Sequence, residues 1–190
     1  PQGIADAQQG VARIVEINAD DFVAVVQPGV ITKTLQDAVE KKGLFYPPDP
    51  ASRADCSLGG NIATNAGGPR CLKYGVTTNN LLGLRMVMMN GEVIDIGGDY
   101  LDAPGYDFLG LIVGSEGQFG VVTEATVRIL KAPEGARPRL LGVDSSEAAG
   151  ACVAGIIAAG IVPVAIEFMD KPAIEVCENF AGAGYPLDVE

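Results

Sequence analysis

The stretch Cys56-Ser-Leu-Gly-Gly-Asn-Ile-Ala-Thr-Asn-Ala-Gly-Gly68 holds the residues best suited to chemistry in this chain of 190 residues. Its four glycines and short side chains leave the backbone nearly bare. Such a backbone can approach a ligand closely, and successive N–H groups turned one way form a concave site for an anion such as pyrophosphate. The same composition also suits two tight turns around a short small-residue helix. A second glycine segment, Gly114-Ser-Glu-Gly-Gln-Phe-Gly120, leads into a β-branched run. Between Ala51 and Arg85 the cations Arg53, Arg70, Lys73 and Arg85 face only Asp55, a positive island in a chain of 24 acidic and 13 basic residues. The island suits a small anionic ligand. The formal charge of -11 excludes a nucleic-acid partner, because nothing here neutralises a row of phosphates.

Other chemistry is excluded by missing residue types. There is no histidine, and Cys56, Cys71, Cys152 and Cys177 show no Cys-x-x-Cys spacing. No zinc, haem or iron–sulfur site is expected in this segment. Scattered cysteines read as reduced thiols, which points to the cytoplasm. The start, Pro1-Gln2-Gly3, has no signal-peptide layout, and both ends read as interior to a longer polypeptide. The uncharged run Ala148 to Ile166 approaches the length of a membrane span. Gly160 and Pro163 interrupt it and Glu147 and Glu167 border it, so a helix followed by a buried strand is the expectation.

The elements that must position these residues follow from local patterning. Val11 to Ile17 and Phe22 to Gln27 are β-branched runs joined by Asn18 to Asp21, a hairpin signal. Thr32 to Lys42 presents Leu35, Ala38 and Val39 on one face, with Gly43 at the cap, and predicts a helix. Phe45 to Pro50 contains three prolines and predicts an extended, rigid segment that delivers the chain to the glycine motif. Leu81 to Met89 and Glu92 to Ile96 flank Asn90-Gly91, a strong hairpin signal. Asp107 to Val113 predicts a short helix, Val121 to Leu130 a strand, and Lys131 to Pro138 a linker. Beyond it the pattern predicts strand (Arg139 to Val143), helix (Ser146 to Ala159), strand (Val162 to Phe168) and helix (Lys171 to Phe180), the opening of a second α+β unit.

Two common nucleotide folds do not fit. A P-loop needs Lys-Ser/Thr after its glycines, and a Rossmann site needs them inside an alternating βαβ unit. This chain offers hairpins instead. Five stretches carry a resemblance: Val26-Gln-Pro-Gly-Val30, Phe45-Tyr-Pro-Pro-Asp-Pro50, Cys56 to Gly68, Cys71-Leu-Lys-Tyr-Gly75 and Gly114-Ser-Glu-Gly-x-x-Gly-Val-Val-Thr123. Together with Ile166-Glu-Phe-Met-Asp170 they resemble the FAD-linked oxidases of the vanillyl-alcohol oxidase superfamily. Within that superfamily the chain is similar to the group of glycolate oxidase FAD subunits and D-lactate and D-2-hydroxyglutarate dehydrogenases.

The resemblance implies an α+β fold: a PCMH-type FAD-binding domain over residues 1–136, then the beginning of a substrate or cap domain over 137–190. It implies FAD as cofactor, with Gly59, Gly60, Asn61, Ala63, Thr64, Asn65, Gly67 and Gly68 lining the pyrophosphate and flavin. Pro48, Asp49, Pro50, Tyr74 and Gly75 would border the cofactor cleft, and Gly120, Val121 and Val122 would offer main-chain groups to the adenine or flavin side. Glu116 would pair with a cation or simply cap its loop, the structural role being the better expectation. The activity implied is oxidation of a small 2-hydroxy acid by hydride transfer to the flavin. No catalytic residue is assigned within this chain. The resemblance places a further glycine-rich pyrophosphate loop before Pro1, and metal- and substrate-binding histidines after Glu190. Companion oxidase subunits, membrane association through them, and homo-oligomerisation are the implied partnerships. Two alternatives stand beside this reading: a non-catalytic oligomerisation module, and a sister FAD-linked oxidase acting on another alcohol.

Overall fold

In the computed structural model, residues 10–100 and 105–189 are described, and the chain divides into two units, Pro1–Glu134 and Gly135–Glu190. Antiparallel strands and separate helices make it an α+β protein, as the sequence pattern predicts.

The first unit is built on a sheet of β1 (Ile14–Asn18), β2 (Val23–Val26), β4 (Leu81–Met88), β5 (Val93–Gly97) and β6 (Gly120–Arg128), in the order β1-β2-β6-β4-β5. Every neighbouring pair is antiparallel. Local chemistry closes both hairpins. Asn18 Oδ1 accepts the N–H groups of Asp20 and Asp21, each at 3.1 Å, which folds the β1–β2 turn. At the β4–β5 turn Gly91 adopts φ 84°, the left-handed conformation for which Asn-Gly is favoured.

Helix α1 (Thr32–Glu40) lays Leu35 and Val39 onto the sheet, and both are fully buried with Ala24, Val26 and Ile129 in one core. From α1 the chain passes through β3 (Leu44–Phe45), which pairs with β7 (Leu130–Lys131). The strap 46–50 then runs buried along its whole length. Three of its five residues are prolines without an N–H, so its burial strands fewer donors than an ordinary loop would. Gln36 Nε2 donates to the Pro48 carbonyl at 2.8 Å and ties the strap to α1.

The second unit holds α5 (Ser146–Ala158) and α6 (Lys171–Ala181), capped by Ser145 and Asp170 side chains that accept from Ala148 and Ala173 N–H groups. Both helices match the sequence expectation. The two flanking strands do not. Residues 139–143 and 162–168 carry no ladder, and no strand is present in this unit among the described residues. A strand needs a neighbour to satisfy its N–H and C=O groups, and these runs have none here. The expected burial of the second run fails for the same reason: Val162 is 51% and Phe168 50% exposed. Among the described residues no helix is long and apolar enough to cross a membrane.

Candidate functional site

The glycine motif folds into helix α2 (Leu58–Thr64). Ser57 caps its N-terminus by accepting from Gly60 N–H, and Asn65 ends it in the left-handed conformation at φ 49°. The short small-residue helix that the composition allowed is present. Gly59, Ile62 and Ala63 share one helix face through their i, i+3, i+4 spacing. That face meets the second glycine segment: Gly114 N–H donates to Ile62 O and Glu116 N–H to Ala63 O, both at 2.9 Å. Between that segment and α2's neighbours sit α3 (Cys71–Tyr74), a 3-10 turn at Thr77–Asn80, and the short α4 (Phe108–Ile112) capped by Asp107.

A cleft of about 290 Å³ opens where the two glycine segments meet. Its walls are Pro28, Gly59, Ile62, Ala63, Met86, Ile112, Ser115, Gly117, Phe119, Gly120, Val121 and Val122. No lining side chain titrates, and most are apolar or absent. One boundary is a strand edge. β6 pairs with β4 from Gly120 to Val127 but with β2 only from Ala125 to Arg128. The other edge of residues 120–124 therefore has no strand partner among the described residues, and Gly120 to Val122 lie in the cleft wall. Unpaired main-chain donors and acceptors beside apolar walls are the combination that recognises a planar heterocycle: faces pack, edges hydrogen-bond. At Gly117 an added Cβ would meet open space.

The glycines themselves serve the chain's own packing. Gly59 sits so close to Pro28 that a Cβ would lie 2.7 Å from the proline's Cβ. At Gly120 a Cβ would lie 2.5 Å from the Val87 carbonyl oxygen. Motif N–H groups are largely spent inside the protein. Leu58 donates to Val30 O and Gly59 to Pro28 O, both at 2.8 Å, Ala66 donates to Asn61 O, and Gly68 to Cys71 Sγ. Gly67 N–H finds no partner among the described residues.

The sequence-predicted residues thus fall into distinct places. Gly59, Ala63, Gly120, Val121 and Val122 line the cleft. Gly60 and Thr64 are exposed on another face of α2, where Thr64 Oγ1 donates to Gly60 O. Asn61 is buried and donates to Thr32 Oγ1 at 2.7 Å, while Asn65 Oδ1 accepts from Thr78 N–H. Pro48, Asp49 and Pro50 lie in the buried strap, where the Asp49 carboxylate pairs with Arg53 and Arg70; half-buried Gly68 packs on the Asp49 main-chain carbonyl, and Tyr74 and Gly75 lie at the end of α3 beside Phe45 and Asn79 respectively. Glu116 takes φ 54° in its loop, exposed, with its N–H used to hold α2. Pro28, Met86, Ile112, Ser115, Gly117 and Phe119 in the cleft wall were not among the predicted site residues. Pro28 carried a signal, the Pro-Gly turn after β2.

Two buried side-chain atoms, Tyr46 Oη and Arg128 Nε, find no partner among the described residues. Tyr46 is fully buried. Burial, and after it the neighbouring Cys56 thiol, push the phenol well above its ordinary value, so it stays protonated.

Residues 4–97 match the family described as FAD binding domain, and residues 132–190 match the FAD linked oxidases, C-terminal domain. The chain belongs to the FAD-linked oxidases. Similar proteins include the glycolate oxidase subunit GlcD of Escherichia coli strain K12, 49% identical over 177 residues, covering 93% of this chain and 36% of that protein. A D-lactate dehydrogenase of Anaerostipes hadrus is 35% identical over 94% of this chain and 38% of its own. A D-2-hydroxyglutarate dehydrogenase of Stutzerimonas stutzeri is 38% identical over 89% of this chain and 34% of its own. The chain therefore spans little more than a third of the length of these relatives. Among solved structures, an alkyldihydroxyacetonephosphate synthase superposes with a TM-score of 0.57 at 26% identity, covering 66% of this chain and 22% of that one. The apolar walls and free strand edge of the cleft fit part of the FAD that gives this family its name.

Proposed function

We propose that the protein containing this chain oxidises a small 2-hydroxy acid of the glycolate or D-lactate type with FAD. The observation that carries the reading is the cleft between α2 and the unpaired start of β6. The small Ala63 leaves room for a ring to lie against α2, and the main chain of Gly120, Val121 and Val122 offers edge hydrogen bonds. Phe119, Ile112 and Ile62 exclude water from its faces. FAD, when bound, supplies the hydride acceptor that these side chains cannot. Since nothing lining the cleft titrates, the cleft's share of the work is binding and orientation. Residues 1–136 are assigned to cofactor binding, and 137–190 to the beginning of the substrate domain.

The relatives' names support the substrate class: glycolate, D-lactate and D-2-hydroxyglutarate are all 2-hydroxy acids. That the E. coli relative is called a subunit supports work alongside companion subunits. The test uses the full-length protein stripped of flavin. FAD titration should quench flavin fluorescence to one equivalent per chain, and anaerobic glycolate, D-lactate or D-2-hydroxyglutarate should then bleach the flavin. A protein that takes up FAD but is bleached by none of the three contradicts the substrate assignment; one that takes up no FAD contradicts the whole reading.

A further inference from the structure

Asp49, one of the residues expected around the cofactor, carries a nearly buried carboxylate that two arginines engage. The Asp49 side chain is 7% exposed, and a carboxylate so dry is tolerable only when paired. Arg70 Nε lies 3.2 Å from Asp49 Oδ2, and Arg53 Nη1 donates to Oδ1. The two arginines are not equivalent. Arg53 stands four residues along the same segment, with its side chain 43% exposed. Arg70 comes from beyond the glycine motif and stacks 4.9 Å from the Phe45 ring centroid, which in turn meets Tyr74 edge-on at 5.4 Å.

The Asp49–Arg70 pair therefore closes a loop that contains the whole glycine motif. At its end Gly68 rests on the Asp49 main-chain carbonyl so closely that any Cβ would overlap the oxygen. At its beginning Gly59 rests on Pro28. The motif is pinned at both ends to backbone that precedes it, and its middle, α2, is left facing β6 across the cleft. We propose that Asp49 and Arg70 are positioning residues: their ion pair sets the distance between α2 and the free edge of β6, and so the affinity of the cleft for the flavin ring system. This rests on the flavin reading given above.

The test compares Asp49→Asn, Arg70→Lys and Arg53→Lys in the full-length protein, measuring the FAD Kd by flavin fluorescence and the melting temperature without FAD. Asp49→Asn keeps the shape of the carboxylate, and Arg70→Lys keeps the charge but loses the fork and the stack. Both are expected to weaken FAD binding about tenfold or more and to alter the bound flavin's visible spectrum, whereas Arg53→Lys stays within about twofold. Wild-type affinity in Asp49→Asn and Arg70→Lys, with or without a lower melting temperature, overturns the proposal. So does an equal loss in Arg53→Lys, which would assign the effect to local charge. If Asp49→Asn does not fold, Arg70→Lys decides alone. Failure of the wild-type protein to take up FAD sinks the flavin reading and the clamp together; failure of the variants to differ sinks the clamp only.

Discussion

The two units carry similar kinds of residues and treat them differently. In the first, five strands and α1 bury a continuous apolar cluster, with Leu35, Val39, Tyr46 and Leu58 fully removed from water. In the second, two well-capped helices leave Phe180 93%, Leu140 69% and Val176 67% exposed, and Ile174 is the one buried apolar side chain among its described residues. Helix propensity and capping are local, and they suffice to make α5 and α6. Burial is collective: without a sheet, the apolar residues of 139–143 and 162–168 have nothing to pack on. The difference accounts for the cleft lying within the first unit, where elements meet from several directions.

That contrast can be broken most directly by truncating one side chain in each unit of the 190-residue chain. Leu58→Ala is expected to cost about 2–5 kcal/mol in urea unfolding, the range for emptying a packed core site. Phe180→Ala is expected to stay within about 0.5 kcal/mol, as for other exposed positions. Equal losses would mean that the second unit has a core of its own. Next in size, Gly59→Ala should cost about 1–3 kcal/mol, because its Cβ would press on Pro28 and force α2 to shift. An unchanged urea midpoint there would mean that α2 is loosely held.

Much of the first unit was legible because its signals are local. Asn90-Gly91 announced its hairpin, and Gly43 the end of α1. The pairing of β2 with β6 was not legible, because it joins segments about a hundred residues apart on no local cue. The glycine motif was found for a reason the structure only half shares. Its bare backbone does allow close approach, but Gly68 approaches Asp49 and Gly59 approaches Pro28, partners that composition cannot reveal. The strands expected around 139–143 and 162–168 had the right residues for β structure and lacked a ladder partner.

Two smaller effects sharpen the same comparison between buried and exposed groups. Tyr46→Phe removes a hydroxyl that is buried without a partner, so stability should hold or rise by up to about 1 kcal/mol, read by thermal melting. A clear loss would reveal a hydrogen bond to that oxygen. Asp95 lies exposed on β5, where the hydrogen bond from Arg85 lowers its carboxyl below the usual value. A depressed acid contributes above its unfolded pKa and loses that contribution as pH falls through the folded one. Asp95→Asn should therefore match the wild type in shape of the pH–stability curve near neutrality, and differ only in the acid range below about pH 4. A divergence beginning near pH 6 would contradict the assignment.

The measurement that bears most directly on the central claim is a structure of the full-length protein with FAD bound. The ring system should lie in the cleft, against Gly59 and Ala63 on one side and hydrogen-bonded along Gly120 to Val122 on the other. FAD held elsewhere, with the second edge of residues 120–124 still without a strand partner and the cleft empty, would contradict it.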